Sequence, residues 1–464
     1  MAHLRAFKHS FHTQFLLLGA FEFAILTGSV FIGAWLRGAD AETFAGLLPG
    51  ALTFSVVMIL TTIAMGVYPA HLREGFTGMT LRTAVGYFLL GSIALSVLYY
   101  ALPGLSLGRG TLATSALTGF VAVAALRWLL VSLIEDPRLK KTVLVLGTGT
   151  IAERIATRLR RRSDQRGFVI HGYALVPEQD DQVSQHGARV FDVADFNYTD
   201  YCINNHVQEI VVALDTPPSG RVLDGLMEAR LSGINIIQTI EFFEREVGKI
   251  EVDLLSPDWI AFSDGFKYSP IRAWSERILD LAASITLLIL ATPIMLVAAA
   301  VIWLESGGPI FYRQERVGLN GQTYWLTKFR SMVTDAEKDG AKWAQANDPR
   351  VTRVGRFLRS TRIDELPQVF NVIAGHMSFV GPRPERPEFV SMLEKEIPYF
   401  KERHRVKPGI TGWAQLCYPY GASVEDSRQK LQYDLYYIKN HSVLLDLIIM
   451  IQTVEVVLVG EGAR

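Results

Sequence analysis

Two adjacent carboxylates, Asp364 and Glu365, lie in the stretch STRIDELPQVF at 360–370. Just upstream, arginines recur at every third position: Arg350, Arg353, Arg356, Arg359 and Arg362. A carboxylate can act as a nucleophile or hold a metal ion, and guanidinium groups offer a planar fork to phosphate oxygens. Together these residue types point to chemistry on a phosphate. The competing reading is a charged, solvated helix beside a capped neighbour. That reading accounts for most of the arginines, but the use of arginine alone, without lysine, favours anion binding by one or two of them.

More cations follow the same theme: Arg313, Arg316, Lys328 and Arg330, then Arg383 in GPRPERP and Lys407 in KPGITG. Prolines on either side of Arg383 fix the backbone, so this side chain is offered from a rigid turn. Pro367 is tolerated in the first turn of a helix, which places Asp364 at the N-cap with the helix continuing through Gln368, Val369 and Asn371. A helix N-terminus should depress the carboxylate pKa. An ordinary cap and an ionised carboxylate facing a Mg2+–diphosphate both satisfy this spacing.

The elements that must carry these residues lie in a 464-residue chain that is 49% hydrophobic and only 20% charged, with a formal net charge of zero. Such a composition points to membrane segments and gives no case for nucleic acid. Cys202 and Cys417 are far apart in sequence and match no metal spacing or disulfide framework. Four apolar runs, at 15–36, 46–68, 80–101 and 111–134, are each long enough to cross a hydrocarbon core of ~30 Å. Arg5, Lys8, His71, Arg73, Arg82, Arg138, Lys140 and Lys141 put the positive charge on one side, so both ends of the bundle are expected in the cytoplasm. Glu22 within the first run should pair with a neighbouring helix.

KKTVLVLGTGTIAERIATRLRRR then reads as strand, glycine turn and helix, with Gly147, Gly149 and Ala152 forming a dinucleotide-type fingerprint. Strands are expected at 168–176, 188–192, 208–214 and 234–239, giving a doubly wound parallel sheet. The acidic residue that should hold a ribose is missing at its usual distance, and Glu178 is the nearest substitute. A structural role for Gly147 and Gly149 is therefore favoured over a nucleotide site. Residues 281–303 are again apolar, but Pro293 interrupts them and should break or kink the helix near Thr292. A broken helix entering and leaving the same face would keep 306–464 on the cytoplasmic side. The final run, HSVLLDLIIMIQTVEVVLV, is too polar to span and reads as an interfacial or core-packing helix.

From ERILD, RQERVG and KFRSM through RSTRIDELPQVFNVIAGHMSFVGPRP, KPGITGWAQ and DLYYIKNHSVLLDL, residues 267–464 resemble the bacterial transferases that move a hexose-1-phosphate from a UDP-sugar to polyprenyl (undecaprenyl) phosphate. The resemblance implies a long-form member. It would comprise a membrane α-helical bundle (1–136), an α/β Rossmann-like domain (137–262) and an α/β catalytic domain (267–464) with a re-entrant membrane helix at about 272–304, broken at Thr292–Pro293. It further implies that Asp364 is the nucleophile that takes the phosphosugar and releases UMP, that Glu365 supports it, and that both face Mg2+. Lys328, Arg359 and Arg383 match basic positions that hold phosphates, with Arg316 and Lys407 as further candidates. The implied setting is the bacterial inner membrane, with the catalytic domain cytoplasmic, a homodimer expected, and a role as the first membrane step of exopolysaccharide, capsule or O-antigen assembly. One departure is LCYPYGAS at 416–423, where small members carry an arginine, so the sugar is not named by the sequence. The competing functions are transfer without a covalent intermediate, a nucleotide-sensing scaffold for polysaccharide export, and a nucleotide-sugar dehydratase or epimerase needing NAD.

Overall fold

The computed structural model describes residues 13–39, 41–65, 76–134, 140–159, 168–177, 179–193, 197–266, 269–334, 336, 348–419, 421 and 423–459. Arg5, Lys8, His71, Arg73, Arg138 and Glu178 lie outside the described residues. The chain divides into two compact units, one mainly of residues 12–248 and one mainly of 249–464.

The first unit opens with α1 (Thr13–Leu36), α2 (Ala41–Ala64), α3 (Phe76–Val85), α4 (Ser92–Ala101) and α5 (Arg109–Ile134). A π-helical turn at Gly86–Gly91 joins α3 to α4, making one long element. These helices form four candidate membrane spans, close to the four apolar runs. They enclose Leu26, Phe54, Met58, Leu95 and Val123. Glu22 does pair across the bundle: Arg127 donates through Nε and Nη2 to its two oxygens at 2.5 and 2.7 Å, and Nη1 donates to Thr83. A buried charge in an apolar bundle persists only when paired in this way.

The α/β part of this unit contains β1 (Lys141–Leu146), α6 (Thr150–Arg158), β2 (Phe168–Ala174), β3 (Val190–Phe191), α7 (Tyr198–Asn204), β4 (Glu209–Val212), α8 (Gly220–Leu231), β5 (Asn235–Gln238) and α9 (Thr239–Val247). Every strand pair is parallel, in the order β3-β2-β1-β4-β5. Val143, Leu144, Val145 and Leu146 are fully buried, as expected where helices cover both faces of a parallel sheet. The strand order reverses direction between β1 and β4, which puts the glycine turn after β1 at the position where such sheets bind ligands.

The second unit contains α10 (Pro257–Phe262), α11 (Pro270–Ser306), β6 (Phe311–Val317), β7 (Thr323–Phe329), α12 (Arg353–Ser360), a 3-10 turn at Ile363–Gln368, α13 (Val369–Ile373), β8 (Ser378–Val380), α14 (Pro387–Glu396), β9 (Gly409–Thr411), α15 (Trp413–Cys417), α16 (Val424–Asn440) and α17 (Val443–Val459). Its start lies earlier than the sequence pattern indicated. Residues 249–262 belong to it because their partners are in α16: Ile250 N–H donates to Gln432 O at 3.0 Å, and Arg428 pairs with Asp253 at 2.9 Å. β6 and β7 form an antiparallel hairpin that sets Lys328 opposite Tyr312. β8 and β9 form a short parallel pair.

The expected break at Thr292–Pro293 is not a break. α11 runs unbroken through Pro293 for 37 residues. Proline removes one N–H and deprives a single carbonyl of its donor, while Thr292 Oγ1 donates to Leu288 O at 2.5 Å. Ala291, Met295, Ala298 and Ile302, on both sides of the proline, pack in one cluster with Phe329 and Leu358. That packing outweighs the lost hydrogen bond. At 1.5 Å per residue the helix is ~55 Å long, well beyond a hydrocarbon core of ~30 Å.

Both ends of α11 are fastened to its own unit. Near the start, Arg277 donates to the carbonyls of Val372 and Ile373 at 2.7 and 2.6 Å, and Asp280 Oδ1 accepts from Ser378 Oγ and Phe379 N, both at 2.8 Å. At the far end, Arg330 Nη2 donates to Ser306 Oγ and Gly307 O at 2.5 and 2.7 Å, and Glu305 Oε1 accepts from Val354 N at 3.0 Å.

α12 follows directly from its sequence. Thr352 is the N-cap, its hydroxyl accepting from Gly355 N at 2.9 Å, as cap residues do. Arg353 and Arg356 are exposed, and Leu358 is buried. Gly355 is required by close packing: a Cβ there would sit 2.0 Å from the Ser331 carbonyl oxygen. Gly355→Ala should therefore displace α12 and lower stability by about 1–3 kcal/mol, read as a drop in thermal midpoint.

Candidate active site

The dyad sits where α12 turns back towards α13. Arg362 adopts a left-handed conformation, φ +60°, which reverses the chain and starts the 3-10 turn one residue later. Asp364 is therefore inside the turn and not its N-cap. It is 8% exposed. Among the described residues no hydrogen bond or ion pair reaches its carboxyl group. Its pKa is pushed up to about 6, opposite to the depression expected of a helix cap. Burial is the main cause, with the neighbouring Glu365 charge adding to it and Lys328, Arg359 and Arg383 opposing.

Glu365 is the contrasting half of the pair. Its Oε1 accepts from Lys328 Nζ at 2.9 Å and from Arg383 Nη2 at 3.3 Å, and its Oε2 lies 3.6 Å from Arg362 Nη1. Burial works against ionisation here too, but Lys328, Arg383 and Arg362 outweigh it and hold the carboxyl well below the usual carboxylate range. Two adjacent carboxylates thus have opposite environments. Glu365 is a fixed anion that gathers three cations, and Asp364 is a buried anion left open. Lys328 on β7 carries the reverse stress: burial lowers its pKa and Glu365 counteracts.

Arg383 is delivered as the rigid turn requires. Gly381 N donates to Thr411 O at 2.9 Å, Gly409 N to Pro382 O at 3.0 Å, and Val317 N to Glu385 O at 3.0 Å. These bonds tie the turn to the hairpin and to β9. Its guanidinium points out of that frame to Glu365.

Arg316 and Lys407 are not brought to the dyad. Arg316 donates to Pro384 O at 2.9 Å and to Gln314 Oε1 at 2.5 Å. It braces the back of the Arg383 turn, and burial lowers its pKa. Lys407 Nζ lies 3.9 Å from Glu276 Oε1 on α11. Among the described residues neither has a hydrogen bond or ion pair to Asp364 or Glu365. In the arginine series, Arg350 is bound to Asp348 at 2.5 and 2.9 Å and to Ala336 O at 2.8 Å. Among the described residues Arg359 has no such partner, and its charge acts on Asp364. Arg359→Ala should raise KM for a phosphate-bearing substrate about tenfold or more with little change in thermal midpoint, whereas Arg350→Ala should leave turnover near the parent value. Steady-state kinetics on the two variants checks this. Sequence reading did not single out Arg362 within the arginine series, and its left-handed conformation, which a local pattern does not reveal, turns it onto Glu365.

The glycine turn of the first unit has a different occupant. Gly147 takes φ +120°. Asp215 Oδ2 accepts from Thr150 N at 2.9 Å, and its Oδ1 accepts from Ile151 N at 2.9 Å and Thr150 Oγ1 at 2.7 Å. The chain's own carboxylate therefore sits on the N–H groups at the start of α6, where a pyrophosphate would otherwise bind. The hydrogen bonds from Thr150 and Ile151 hold Asp215 below its ordinary pKa, although burial opposes them.

Residues 271–460 match the family model described as bacterial sugar transferase. The chain is 39% identical over 298 residues, 63% of its length and 68% of the relative's, to a UDP-N-acetylgalactosamine-undecaprenyl-phosphate N-acetylgalactosaminephosphotransferase of Aeromonas hydrophila. It is 34% identical over 331 residues to an undecaprenyl-phosphate glucose phosphotransferase of Komagataeibacter xylinus, covering 68% of this chain and 59% of that protein. The similarity is 28% over 463 residues, 94% of the chain and 92% of the relative, for a UDP-glucose:undecaprenyl-phosphate glucose-1-phosphate transferase of Xanthomonas campestris pv. campestris. The dyad, its three cations and the Arg383 turn all fall inside the matched segment, and the chain belongs to the bacterial sugar transferase family.

Proposed function

We propose that this membrane transferase moves a hexose-1-phosphate from a UDP-sugar to undecaprenyl phosphate through a phosphosugar held covalently on Asp364. The observation that carries the reading is the division of labour in the dyad: Asp364 is buried without a partner among the described residues, while Glu365 beside it is saturated with cations. An open carboxylate is what a nucleophile needs.

In the first step an Asp364 oxygen attacks the phosphorus that bears the sugar. The bond to the bridging oxygen breaks, UMP leaves with that oxygen, and an acyl phosphate forms. In the second step a phosphate oxygen of undecaprenyl phosphate attacks the same phosphorus. The carboxylate is released and the product is an undecaprenyl diphosphate sugar. Lys328, Arg383, Arg362 and Arg359 supply positive charge around the diphosphate, the main requirement of phosphoryl transfer. Glu365 holds three of these cations in place.

Among the described residues no group of three acidic, His or Cys side chains could ligate a metal ion. Mg2+ needs only one or two carboxylates when substrate phosphates and water complete its shell, so the open Asp364 carboxyl fits it. Glu365 is the poorer donor because both of its oxygens already face cations. When bound, Mg2+ would neutralise diphosphate charge.

The proposed setting is the cytoplasmic face of the bacterial inner membrane, as the first membrane step of a surface polysaccharide. Re-entry of α11, which with continuous helical bonding requires a bend at Pro293 and not an interruption, is supported by its fastening at both ends to one unit. A straight crossing would carry α12, the dyad and Lys328 into hydrocarbon, where charged groups are costly. The test is UMP release by the full chain with undecaprenyl phosphate and Mg2+ across UDP-glucose, UDP-galactose and UDP-N-acetylgalactosamine. Acceptor-dependent UMP from at least one donor is expected; none from any of them would sink the reading.

A further inference from the structure

Two buried residues behind the Arg383 turn have no part in the chemistry described so far. Arg403 lies in a 3-10 turn, Phe400–Arg405, and Asp434 lies on α16. They are 6% and 2% exposed. Arg403 Nε and Nη2 both donate to Asp434 Oδ2, at 3.1 and 2.8 Å. The same Nη2 donates to the backbone carbonyl of Arg383 at 3.0 Å. The guanidinium also stacks over Phe400, 5.0 Å from the ring centroid.

A buried ion pair is weak evidence of a stabilising role, because well-packed apolar residues of similar volume often do as well. This pair does something an apolar pair cannot: it donates to the carbonyl of the one residue whose side chain leaves the turn for the dyad. A guanidinium gripped by a carboxylate on one edge and an aromatic face below it is fixed in orientation. Arg383, by contrast, has a long side chain, 36% exposed, that reaches Glu365 at 3.3 Å. Its aim depends on its backbone, and small misplacements of a phosphate-positioning group are expensive. Lys430, one helical turn before Asp434 on α16, donates to Gly421 O at 2.6 Å, so the same helix also holds the segment that leads into it.

We infer that Arg403 and Asp434 form a positioning pair that holds the backbone of Arg383 so that its guanidinium stays aimed at the donor diphosphate. The inference rests on the proposed donor role of Arg383.

The test is a double-mutant cycle on the full chain, read as the Kd for UDP with Mg2+, a probe that carries the diphosphate but has no sugar to transfer. Arg403→Lys keeps the charge and loses the fork, and Asp434→Asn leaves Arg403 a weaker anchor. Each should weaken UDP binding, Arg403→Lys by about tenfold or more, and each should also lower the thermal midpoint, because a buried pair loses part of its bonding. In an Arg383→Ala background, Arg403→Lys should add less than about twofold, because coupled residues do not act additively. Asp434→Asn provides the cycle if Arg403→Lys fails to fold. A full additive loss in the Arg383→Ala background would overturn the positioning role while leaving Arg383 in the donor site. Unchanged UDP binding in both Arg403→Lys and Asp434→Asn would overturn it as well. If Arg383→Ala binds UDP like the parent, the donor role of Arg383 fails, and the positioning role with it.

Discussion

Asp364→Asn should abolish turnover, lowering kcat by roughly 10^3-fold or more as loss of a nucleophile does, and should at the same time make the free protein more stable above pH 6. The two effects share one cause. Asp364 is buried with no partner among the described residues, and its pKa is pushed up to about 6 from an ordinary 3.8. A carboxyl whose pKa is raised on folding favours the folded state fully below the unfolded value. That contribution is lost as pH rises through about 4 to 6. Above pH 6 the folded protein carries a charge it would rather not bury, at a cost on the order of 3 kcal/mol. Asparagine removes that charge and should raise the thermal midpoint at pH 7 to 8. The parent enzyme should also show an acid limb in kcat/KM near pH 6, where Asp364 of the free enzyme becomes protonated and cannot attack. Thermal melts and a pH–rate profile check both halves.

Glu365→Gln should be the second most damaging change, by a different route. The carboxylate anchors Lys328, Arg362 and Arg383, and its amide replacement leaves those charges facing one another. Removing one partner of a buried pair costs about 3–5 kcal/mol, so a marked fall in thermal midpoint is expected, with turnover down by roughly 10^2-fold or more as the cations lose their aim. Because the pKa of Glu365 is held low on folding, its stabilisation is present above the unfolded value. It is lost only as pH falls well below the ordinary carboxylate range. The Asn and Gln variants should therefore move stability in opposite directions at neutral pH. Glu365 also raises the pKa of Asp364, so the residual activity of Glu365→Gln should show its acid limb at lower pH than the parent.

The features legible in the sequence were those set by local pattern. Runs of apolar residues mark α1 to α5 within a few residues, and the alternation of strand and helix signals predicts the parallel sheet from β1 to β5. Asp364, Glu365, Lys328 and Arg383 were picked out by residue type, by spacing and by family resemblance. The features that were not legible depend on tertiary contacts. Asp364 looked like an N-cap because nothing in STRIDELPQVF announces that Arg362 takes a left-handed conformation and shifts the turn by one residue. Its pKa was expected to fall because a helix end is a local feature, whereas burial, which dominates, is not. Pro293 looked like a helix break because the packing of Ala291, Met295 and Ala298 that carries α11 past it comes from other elements. Arg316 and Lys407 carry the right charge for phosphate, but Arg316 is directed to the Pro384 carbonyl and Lys407 faces Glu276. Arg403 and Asp434, 31 positions apart, give no local sign that they meet behind Arg383.

The most direct test of the covalent account uses a UDP-sugar labelled in the phosphate next to the sugar, mixed with the full chain without undecaprenyl phosphate. The account predicts stoichiometric UMP release and label retained on the protein at Asp364. Label should then pass to lipid when undecaprenyl phosphate is added, and none should be retained by Asp364→Asn. UMP release that occurs only when donor and acceptor are present together, with no label on the protein at any time, would contradict it.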